Sequence, residues 1–452
     1  MSQTEQQRAR YRVQPAERVQ GEITVPGDKS ISHRALMLGG IARGDTEIEG
    51  FLAGEDCLAT LRALATLGVR IERPLPDRVI VHGEGPEALR GAAVPLDMGN
   101  AGTAIRLIMG LLSGQSFDSI LIGDASLMRR PMERVAAPLR LMGARIGTTD
   151  GKPPVHVRAC PGLTAIDYTL PVASAQVKSA ILLAALSARG RTRVVEPAPT
   201  RDHTERMLGA FGVSVWRSGV AGSDRWPMAI TLEGGQPLIG APVRVPGDFS
   251  SAAFFLVAGC LAADRGLVLR NVGVNPTRTG LLRLLKQMGA DIRIHPPAHP
   301  AAHPDAELVA DLEVHRSALK GITVPLELVA LAIDEFPVFF IAASCAAGTT
   351  VLEGAQELRV KESDRLGGMA AGLKALGVHH ELLPDGIRIE GGAGFSGGTI
   401  DSLGDHRIAM AFAVASLKAS GPIEILDVAN VATSFPGFIE TARTAGLVLE
   451  AL

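Results

Sequence analysis

One short pattern of apolar and polar positions recurs six times along the chain. It consists of an apolar residue, two variable residues, an apolar residue and a glycine, followed by apolar, variable and apolar positions. The first part is typical of the end of an amphipathic helix, the glycine of a helix C-cap, and the last part of a β-strand. The copies lie at residues 64–71, 139–146, 208–215, 285–292, 373–380 and 442–449. Six helix–glycine–strand junctions predict an α/β protein built from six similar units.

A longer repeat divides the chain into two halves. VPGDKSISHRALMLGG begins at Val25, and VPGDFSSAAFFLVAG begins at Val245. Each copy predicts a strand, a tight turn and an apolar helix with a serine N-cap, which is Ser30 or Ser32 in the first copy. The simplest interpretation gives each half three of the six units.

The two copies of this repeat differ in charge. Lys29 and Arg34 of the first copy are replaced by Phe249 and Phe254 in the second. A helix N-terminus with a lysine and an arginine favours an anion. We therefore expect an anion site in the first copy and packed core in the second, although a solvated basic helix start fits the first copy equally well.

Composition and charge restrict the class of protein. Of the 452 residues, 46% are hydrophobic and 20% are charged, with a net charge of -2. This balance disfavours a nucleic-acid binder, and the longest uncharged stretches, 249–263 and 336–352, are too short for a membrane span. With a polar N-terminus that lacks an apolar signal core, the sequence predicts a cytosolic protein with a small-molecule partner.

Neither the cysteines nor the clustered histidines predict a metal site. The cysteines show no paired spacing: Cys57, Cys160, Cys260 and Cys345. His295, His299 and His303 are four residues apart, but a proline follows each of them, which favours a surface loop over a metal-binding helix.

Three segments of the first half carry candidate ligand groups. In residues 97–106, small residues around Asn100, Gly102 and Thr103 would let a ligand approach the backbone. Arg129, Arg130 and Arg134 flank Pro131 at a predicted helix start, where guanidinium groups favour a carboxylate or a phosphate. Ser174, Gln176 and Lys178 can hydrogen-bond a hydroxylated ligand. Read singly, the first segment fits a packing turn equally well, and the other two fit a polar helix start better.

The second half carries candidate acid–base groups. Asp334 and Glu335 interrupt an apolar run, where a carboxylate is costly to bury without a partner, so either is a candidate general base. On a helix, Lys361 and Arg365 would repel each other unless an anion lay between them. Further charged groups follow close by: Arg359, Glu362, Asp364, His406 and Arg407. An ion-paired helix surface is the alternative.

Taken together, nine segments in order closely resemble the family of 5-enolpyruvylshikimate-3-phosphate synthases, and most of all its class II bacterial members. The segments are GDKSISHR, GNAGTA, RRPMERV, SAQVKSA, RDHTERML, IDEFPV, RVKESDRL, DHRIAM and TSFPGF, between about Val25 and Leu449. The resemblance implies an α/β fold, the two-domain inside-out barrel of enolpyruvyl transferases with six βαβαββ repeats. It also implies that residues 26–245 form one domain and that residues 1–25 with 246–452 form the other.

The resemblance implies a reaction between two small anions. The family transfers the enolpyruvyl group of phosphoenolpyruvate to the 5-hydroxyl of shikimate 3-phosphate, and no metal or organic cofactor is implied. The residues that match shikimate 3-phosphate ligands are Lys29, Ser30, Arg34, Ser174, Ala175, Gln176, Arg201, Asp334 and Lys361. Those that match phosphoenolpyruvate ligands are Lys29, Gly102, Arg130, Gln176, Arg365 and Arg407. The implied catalytic residues are Asp334, which takes the hydroxyl proton, and Glu362 and Lys29, which serve protonation of the methylene carbon.

Two positions depart from the family pattern. Thr433 stands where many members carry a lysine, which puts one phosphoenolpyruvate contact in question, and Leu107 stands where others have proline. Gly102 is retained. Because alanine at that position is associated in the family with tolerance of glyphosate, we expect this chain to bind glyphosate.

Two other functions remain as alternatives. A UDP-N-acetylglucosamine enolpyruvyl transferase has the same fold, but its loop normally carries a reactive cysteine, and residues 123–131 contain none. A non-catalytic anion-binding protein would gain nothing from two carboxylates, Asp334 and Glu362, near a phosphate. We expect a monomer.

Overall fold

In the computed structural model of the protein, residues 9–160, 162–219, 226–297 and 306–452 are described. They form two compact units. The N-terminal unit contains the described residues of Gly27–Val245 together with residues 306–307. The C-terminal unit contains residues 9–26, 246–297 and Leu308–Leu452. His299 and His303 lie outside the described residues.

Helices occur throughout both units. They are α1 (Lys29–Ile41), α2 (Glu55–Thr66), α3 (Gly102–Leu112), α4 (Glu133–Leu141), α5 (Ala175–Ala185), α6 (His203–Ala210), α7 (Phe249–Ala262), α8 (Gly280–Gln287), α9 (Leu326–Ala332), α10 (Phe336–Cys345), α11 (Arg365–Ala375), α12 (His406–Ala415), α13 (Val431–Ser434) and α14 (Phe438–Ala445).

The strands are short and alternate with the helices. Up to Val245 they are β1 (Tyr11–Gln14), β2 (Gly21–Thr24), β3 (Arg43–Glu49), β4 (Arg70–Leu75), β5 (Arg78–Glu84), β6 (Leu96–Asp97), β7 (Ser119–Ile122), β8 (Arg145–Thr149), β9 (Lys152–Arg158), β10 (Leu163–Thr164), β11 (Asp167–Thr169), β12 (Ala188–Arg189), β13 (Arg191–Glu196), β14 (Val215–Gly219), β15 (Met228–Glu233) and β16 (Val243–Arg244). After Val245 they are β17 (Leu267–Gly273), β18 (Asp291–His295), β19 (Val309–His315), β20 (Thr349–Leu352), β21 (His380–Leu382), β22 (Ile387–Glu390), β23 (Gly398–Asp401), β24 (Ile423–Leu426) and β25 (Val448–Ala451).

Sheets of one recurring design appear in both units. In the N-terminal unit their strand orders are β16-β3-β5-β4, β6-β7-β9-β8 and β11-β13-β15-β14. In each of them the first pair is parallel and the other two pairs are antiparallel. The C-terminal unit repeats this design in β2-β17-β19-β18 and β23-β24-β1-β25, and forms an antiparallel β20-β22-β21 sheet. The predicted six-unit α/β architecture is confirmed.

The six predicted helix–glycine–strand junctions are present. At each one a helix ends, a glycine with positive φ follows, and a strand begins within three residues. The glycines are Gly68, Gly143, Gly212, Gly289, Gly377 and Gly446, with φ between 81° and 113°. A left-handed backbone costs glycine nothing, and it lets the chain reverse at once into the sheet.

The two VPGD repeats each lead into a helix, but the predicted serine N-caps are wrong. Asp28 caps α1, its carboxylate accepting the amide of Ile31 at 2.9 Å, and Asp248 caps α7 by accepting the amide of Ser251 at 2.9 Å. In each copy a carboxylate two residues before the first serine satisfies a free amide and favours the positive end of the helix dipole. Phe249 is fully buried, as predicted for the second copy.

Each unit has its own hydrophobic core. One cluster of buried side chains runs from Ile31 to Val245 and lies in the N-terminal unit. The other contains Tyr11 to Val25 together with side chains from Phe249 to Leu449, all in the C-terminal unit. The N-terminal strands β1 and β2 therefore contribute to the core of the C-terminal unit.

Candidate active site

The start of α1 presents a lysine beside a buried carboxylate. Lys29 is the first residue of the helix, and its Nζ lies 2.9 Å from Oδ2 of Asp56 on α2. About a fifth of the Lys29 side chain is exposed. The ammonium is therefore held in one place while it remains accessible to an anion.

Arg34 lies one turn further along α1 and is almost wholly buried. Its guanidinium donates to Oγ1 of Thr204 at 2.7 Å, to Oγ of Ser179 at 2.9 Å and to the carbonyl oxygen of Ser30 at 2.9 Å. Burial lowers the pKa of Arg34 to about 10, an effect that Arg201 adds to and Glu205 and Asp28 oppose. Arg34 therefore stays charged at neutral pH, held by neutral partners.

The histidine between these two cations is neutral. Burial, with smaller contributions from Lys29 and Arg34, lowers the pKa of His33 to about 3. Its Nδ1 lies 2.7 Å from Oγ1 of Thr60. His33 therefore adds no positive charge to the cluster.

Gly102, Arg106 and Gln176 form a polar cluster at the start of α3. Nη1 of Arg106 donates to Oε1 of Gln176 at 2.9 Å and to the carbonyl of Gly102 at 3.3 Å, and Nε2 of Gln176 donates to Oγ1 of Thr103 at 3.1 Å. Arginine has no acceptor, so this bond fixes which end of the Gln176 amide is the oxygen. Arg106 is not among the predicted ligands. The signal that could have identified it is a lone cation in an otherwise apolar helix, four residues after Gly102.

The arginines around Pro131 differ in burial. Arg130 is 8% exposed, and its guanidinium donates to the carbonyl of Asn100 at 3.3 Å and also to the Asn100 side chain. Arg129 and Arg134 are exposed. A β-carbon added at Gly102 would lie 2.9 Å from Nη1 of Arg130, so the structure brings Arg130, and not Arg129, next to the Gly102 turn.

The start of α5 agrees only partly with the sequence-based expectation. Ser174 is the N-cap, and Ser174, Ala175 and Gln176 are partly exposed. The prediction that Lys178 can bind a hydroxylated ligand is wrong. Its side chain is 0% exposed, and its Nζ lies 3.0 Å from Glu196 and 2.7 Å from Glu205. Both carboxylates come from elements distant in sequence, which the local pattern does not reveal.

Arg201 lies between the end of β13 and the start of α6. It is partly exposed and follows Thr200, whose hydroxyl donates to Oε2 of Glu196 at 2.6 Å. Its positive charge contributes to the lowered pKa of Arg34, which places the two cations in one electrostatic environment.

In the C-terminal unit, Asp334 lies between two cations. It follows α9, and its Oδ1 lies 3.2 Å from Nη1 of Arg365 and 3.4 Å from Nζ of Lys361. Lys361 precedes α11, so the two residues do not share a helix, and an anion lies between the two cations. That anion is the carboxylate of Asp334.

Arg365 is the centre of this cluster. It is 1% exposed and bonded to Asp405 at 2.8 Å and to Glu362 at 2.5 Å as well as to Asp334. Burial alone would lower the pKa of Arg365, but Asp405, Glu362 and Asp334 outweigh burial and raise it. Burial would raise the pKa of Asp405, but Arg365 more than offsets this and lowers it.

Arg407 at the start of α12 faces the same segment. Its Nη1 donates to the carbonyl oxygen of Asp334 at 2.8 Å and lies 3.8 Å from Oε1 of Glu335. Glu335 is 2% exposed and also accepts a hydrogen bond from Ser250. Of the two adjacent carboxylates, Glu335 is therefore buried as a structural partner, and Asp334 is the more accessible one.

Thr433, one of the two departures from the family pattern, lies on the short helix α13. Its hydroxyl donates to the carbonyl of Asn430 at 2.7 Å, and Nδ2 of Asn430 donates to the carbonyl of Gly404, next to Asp405. This position therefore offers no lysine ammonium, and the threonine hydroxyl bonds to the backbone of its own helical turn.

Within the described ranges, no group of three or more His, Cys, Asp or Glu side chains could hold a metal ion. In the same part of the chain, no helix is long and apolar enough to cross a membrane. Cys57, Cys160 and Cys260 are buried, and Cys345 is partly buried.

Comparison with known proteins points to one family. The family model for EPSP synthase (3-phosphoshikimate 1-carboxyvinyltransferase) matches residues 13–442. A 3-phosphoshikimate 1-carboxyvinyltransferase of Methylococcus capsulatus is 54% identical, covering 96% of this chain and 97% of its own length. One of Acidithiobacillus ferrooxidans is 55% identical, with coverage of 98% and 99%.

A solved structure gives the same result. The EPSP synthase structure from Acinetobacter baumannii is 51% identical, with a TM-score of 0.85 and coverage of 98% of this chain and 100% of that one. Fold, sequence and family model agree over nearly the whole length, and the chain belongs to the EPSP synthase family.

Proposed function

We propose that this chain transfers the enolpyruvyl group of phosphoenolpyruvate to the 5-hydroxyl of shikimate 3-phosphate and releases phosphate. The observation that carries this proposal is its membership of the EPSP synthase family, with a match over residues 13–442. The reaction belongs to the shikimate pathway, which leads to chorismate and the aromatic amino acids. Phosphoenolpyruvate and shikimate 3-phosphate are the small anionic substrates.

In the N-terminal unit, we assign the cation cluster, which consists of Lys29, Arg34, Arg130 and Arg201, and its polar neighbours to these two anions. Shikimate 3-phosphate contacts Lys29, Ser30, Arg34, Ser174, Ala175, Gln176 and Arg201. Phosphoenolpyruvate contacts Lys29, Gly102, Arg130 and Gln176. The assignment is supported by the Arg106–Gln176 bond, because it leaves an amide N–H of Gln176 as the group offered to an anion. Arg106 acts as a positioning residue.

In the C-terminal unit, we assign Asp334 and Lys361 to shikimate 3-phosphate and Arg365 and Arg407 to phosphoenolpyruvate. Asp334 is the general base. Lys361 and Arg365, whose nitrogens lie 3.4 Å and 3.2 Å from its Oδ1, both stabilise its ionised form. An ionised carboxylate is the form that can remove a proton from a hydroxyl.

The bond changes of the reaction then follow. The substrate hydroxyl oxygen forms a bond to C2 of phosphoenolpyruvate as Asp334 takes the hydroxyl proton. The methylene carbon C3 gains a proton, and Lys29 and Glu362 take part in this transfer. The resulting tetrahedral intermediate loses phosphate by cleavage of its C–O bond while C3 loses a proton. Fixed cations stabilise the charge on phosphate throughout.

We also propose that the protein acts as a monomer in the cytoplasm. Size-exclusion chromatography with light scattering tests the monomeric state, and a mass of two chains would contradict it.

The test of the function is phosphate release from phosphoenolpyruvate by the purified protein. One reaction contains shikimate 3-phosphate and a second contains UDP-N-acetylglucosamine, the acceptor of the other enolpyruvyl transferase. We expect release only in the first. Release only in the second would overturn the substrate assignment, and no release in either by folded protein would favour a non-catalytic anion-binding role.

A further inference from the structure

A network of charges that is buried at its centre, and exposed at Arg217, connects α5, β13, α6 and β14 of the N-terminal unit. Lys178, on α5, is its centre and bonds to Glu196 at the end of β13 and to Glu205 on α6. Arg217, on β14, extends the network, lying 3.2 Å from Glu205 and 3.0 Å from Asp202. Glu196 is 2% exposed and Glu205 is 5% exposed.

The network includes both sequence neighbours of Arg201. Thr200 donates its hydroxyl to Glu196 at 2.6 Å, and Asp202 accepts from Arg217 at 3.0 Å and from Arg206 at 3.1 Å. Arg201 belongs to no helix or strand. The bonds of its two neighbours therefore fix the backbone from which its side chain extends.

A second layer of bonds connects the same two helices to Arg34. Ser179 and Thr204, adjacent in sequence to Lys178 and Glu205, lie 2.7 Å apart through their hydroxyl oxygens, and both accept from the guanidinium of Arg34. The Lys178–Glu205 ion pair thus lies beside the hydroxyl pair that holds Arg34.

Stability alone is a poor explanation for this network. Removing two charges from water costs free energy that their attraction repays only in part, and apolar residues of the same volume often stabilise a core as well. Ionic bonds also fix the positions of the groups that they join. Here they fix the positions of Thr200 and Asp202.

We propose that Lys178 and Glu196 are positioning residues that hold Arg201 in place for shikimate 3-phosphate through the hydroxyl of Thr200. This inference rests on the proposed function, because it takes Arg201 as a ligand of that substrate. Neither Lys178 nor Glu196 touches the substrate.

The test is Thr200→Val in the full chain, since Lys178→Met risks loss of folding. Valine keeps the volume and removes only the bond to Glu196. The matched control is Thr192→Val on β13, because Thr192 is also fully buried and its hydroxyl has no partner among the described residues. Binding of shikimate 3-phosphate without phosphoenolpyruvate is measured by calorimetry, and kcat and KM are measured with both substrates.

We expect Thr200→Val to raise Kd and KM for shikimate 3-phosphate by about fivefold or more, with kcat changed by less than about twofold. Thr192→Val should leave all three constants within about twofold. In an Arg201→Gln background, Thr200→Val should add less than about twofold, because the group that it positions has been removed.

Two results would overturn the inference alone. One is an unchanged Kd in Thr200→Val when Arg201→Gln does weaken binding, and the other is an equal loss from Thr200→Val with and without Arg201. If Arg201→Gln has no effect, the ligand assignment of Arg201 fails and the inference fails with it. If the unaltered protein neither binds nor converts shikimate 3-phosphate, the proposed function itself is wrong.

Discussion

Asp334 combines accessibility with two adjacent cations, and its substitution separates chemistry from binding. Asp334→Asn keeps the shape and removes the proton acceptor, so we expect turnover to fall by about 10²- to 10⁴-fold. Shikimate 3-phosphate affinity should stay within about tenfold, or ~1.4 kcal/mol, because Lys361 and Arg365 remain. Steady-state kinetics and calorimetry measure the two effects. Equal losses in rate and affinity would mean that Asp334 only positions other groups.

Gly102 is a site where one methyl group should change anion binding without unfolding the protein. A β-carbon there would lie 2.9 Å from Nη1 of Arg130 and 3.2 Å from Nη1 of Arg106. Because side-chain ends can shift, the fold should persist while both guanidinium groups move. We expect Gly102→Ala to raise KM for phosphoenolpyruvate by about tenfold or more and to weaken inhibition by glyphosate.

The control for this substitution is Gly147→Ala on β8, where the nearest atom to an added β-carbon is 3.7 Å away. It should leave KM unchanged. Equal glyphosate inhibition of the native protein and Gly102→Ala would contradict the expected role of this position.

Individual residues show where local sequence fails to predict a role. Lys178 lies in a segment of candidate ligand residues. It is nevertheless buried against Glu196 and Glu205, which belong to other elements. Asp28 takes the cap expected of a serine because the helix begins at Lys29. Lys361 and Arg365 are two cations close in sequence, so the sequence indicates that they would repel unless an anion lay between them. It does not identify that anion as Asp334.

At the scale of elements, the junction glycines were predictable because their conformation is a local property. Gly212, between α6 and β14, has φ of 84° and no atom within 4 Å of an added β-carbon, so only backbone strain opposes a side chain there. We expect Gly212→Ala to cost about 1–2 kcal/mol of unfolding free energy. Gly212→Asn should cost less, because asparagine tolerates the left-handed region.

Thermal unfolding of the two variants checks this order. If alanine and asparagine lower the Tm equally, loss of glycine's small size, and not its conformation, would be the cause.

Strand pairing was less predictable than the junctions, because it depends on partners distant in sequence. β2 pairs in parallel with β17, and β1 lies between β24 and β25. Nothing in the residues of β1 alone specifies partners near the end of the chain. The resemblance to a known family predicted that the N-terminal residues join the second half of the chain, and the hydrophobic pattern predicted the repeats.

At the scale of the whole molecule, two separate cores predict that one unit can fold alone. The N-terminal unit is almost continuous in sequence, from Gly27 to Val245, and its buried cluster includes no side chain of the C-terminal unit. An isolated fragment of residues 27–245 should therefore unfold in one cooperative transition, measured by circular dichroism. It loses the bond of His203 to Glu307, which is 2.6 Å long in the full chain.

The fragment also tests how the proposed roles divide between the units. It keeps Lys29, Arg34 and Arg201, so shikimate 3-phosphate should raise its Tm, with a weaker Kd than in the full chain because Lys361 is absent. It lacks the proposed base Asp334 and should release no phosphate from phosphoenolpyruvate. A fragment without a cooperative transition would show that the second core is needed for folding. A folded fragment that shikimate 3-phosphate does not stabilise would contradict the assignment of the Lys29–Arg34 cation cluster to that substrate.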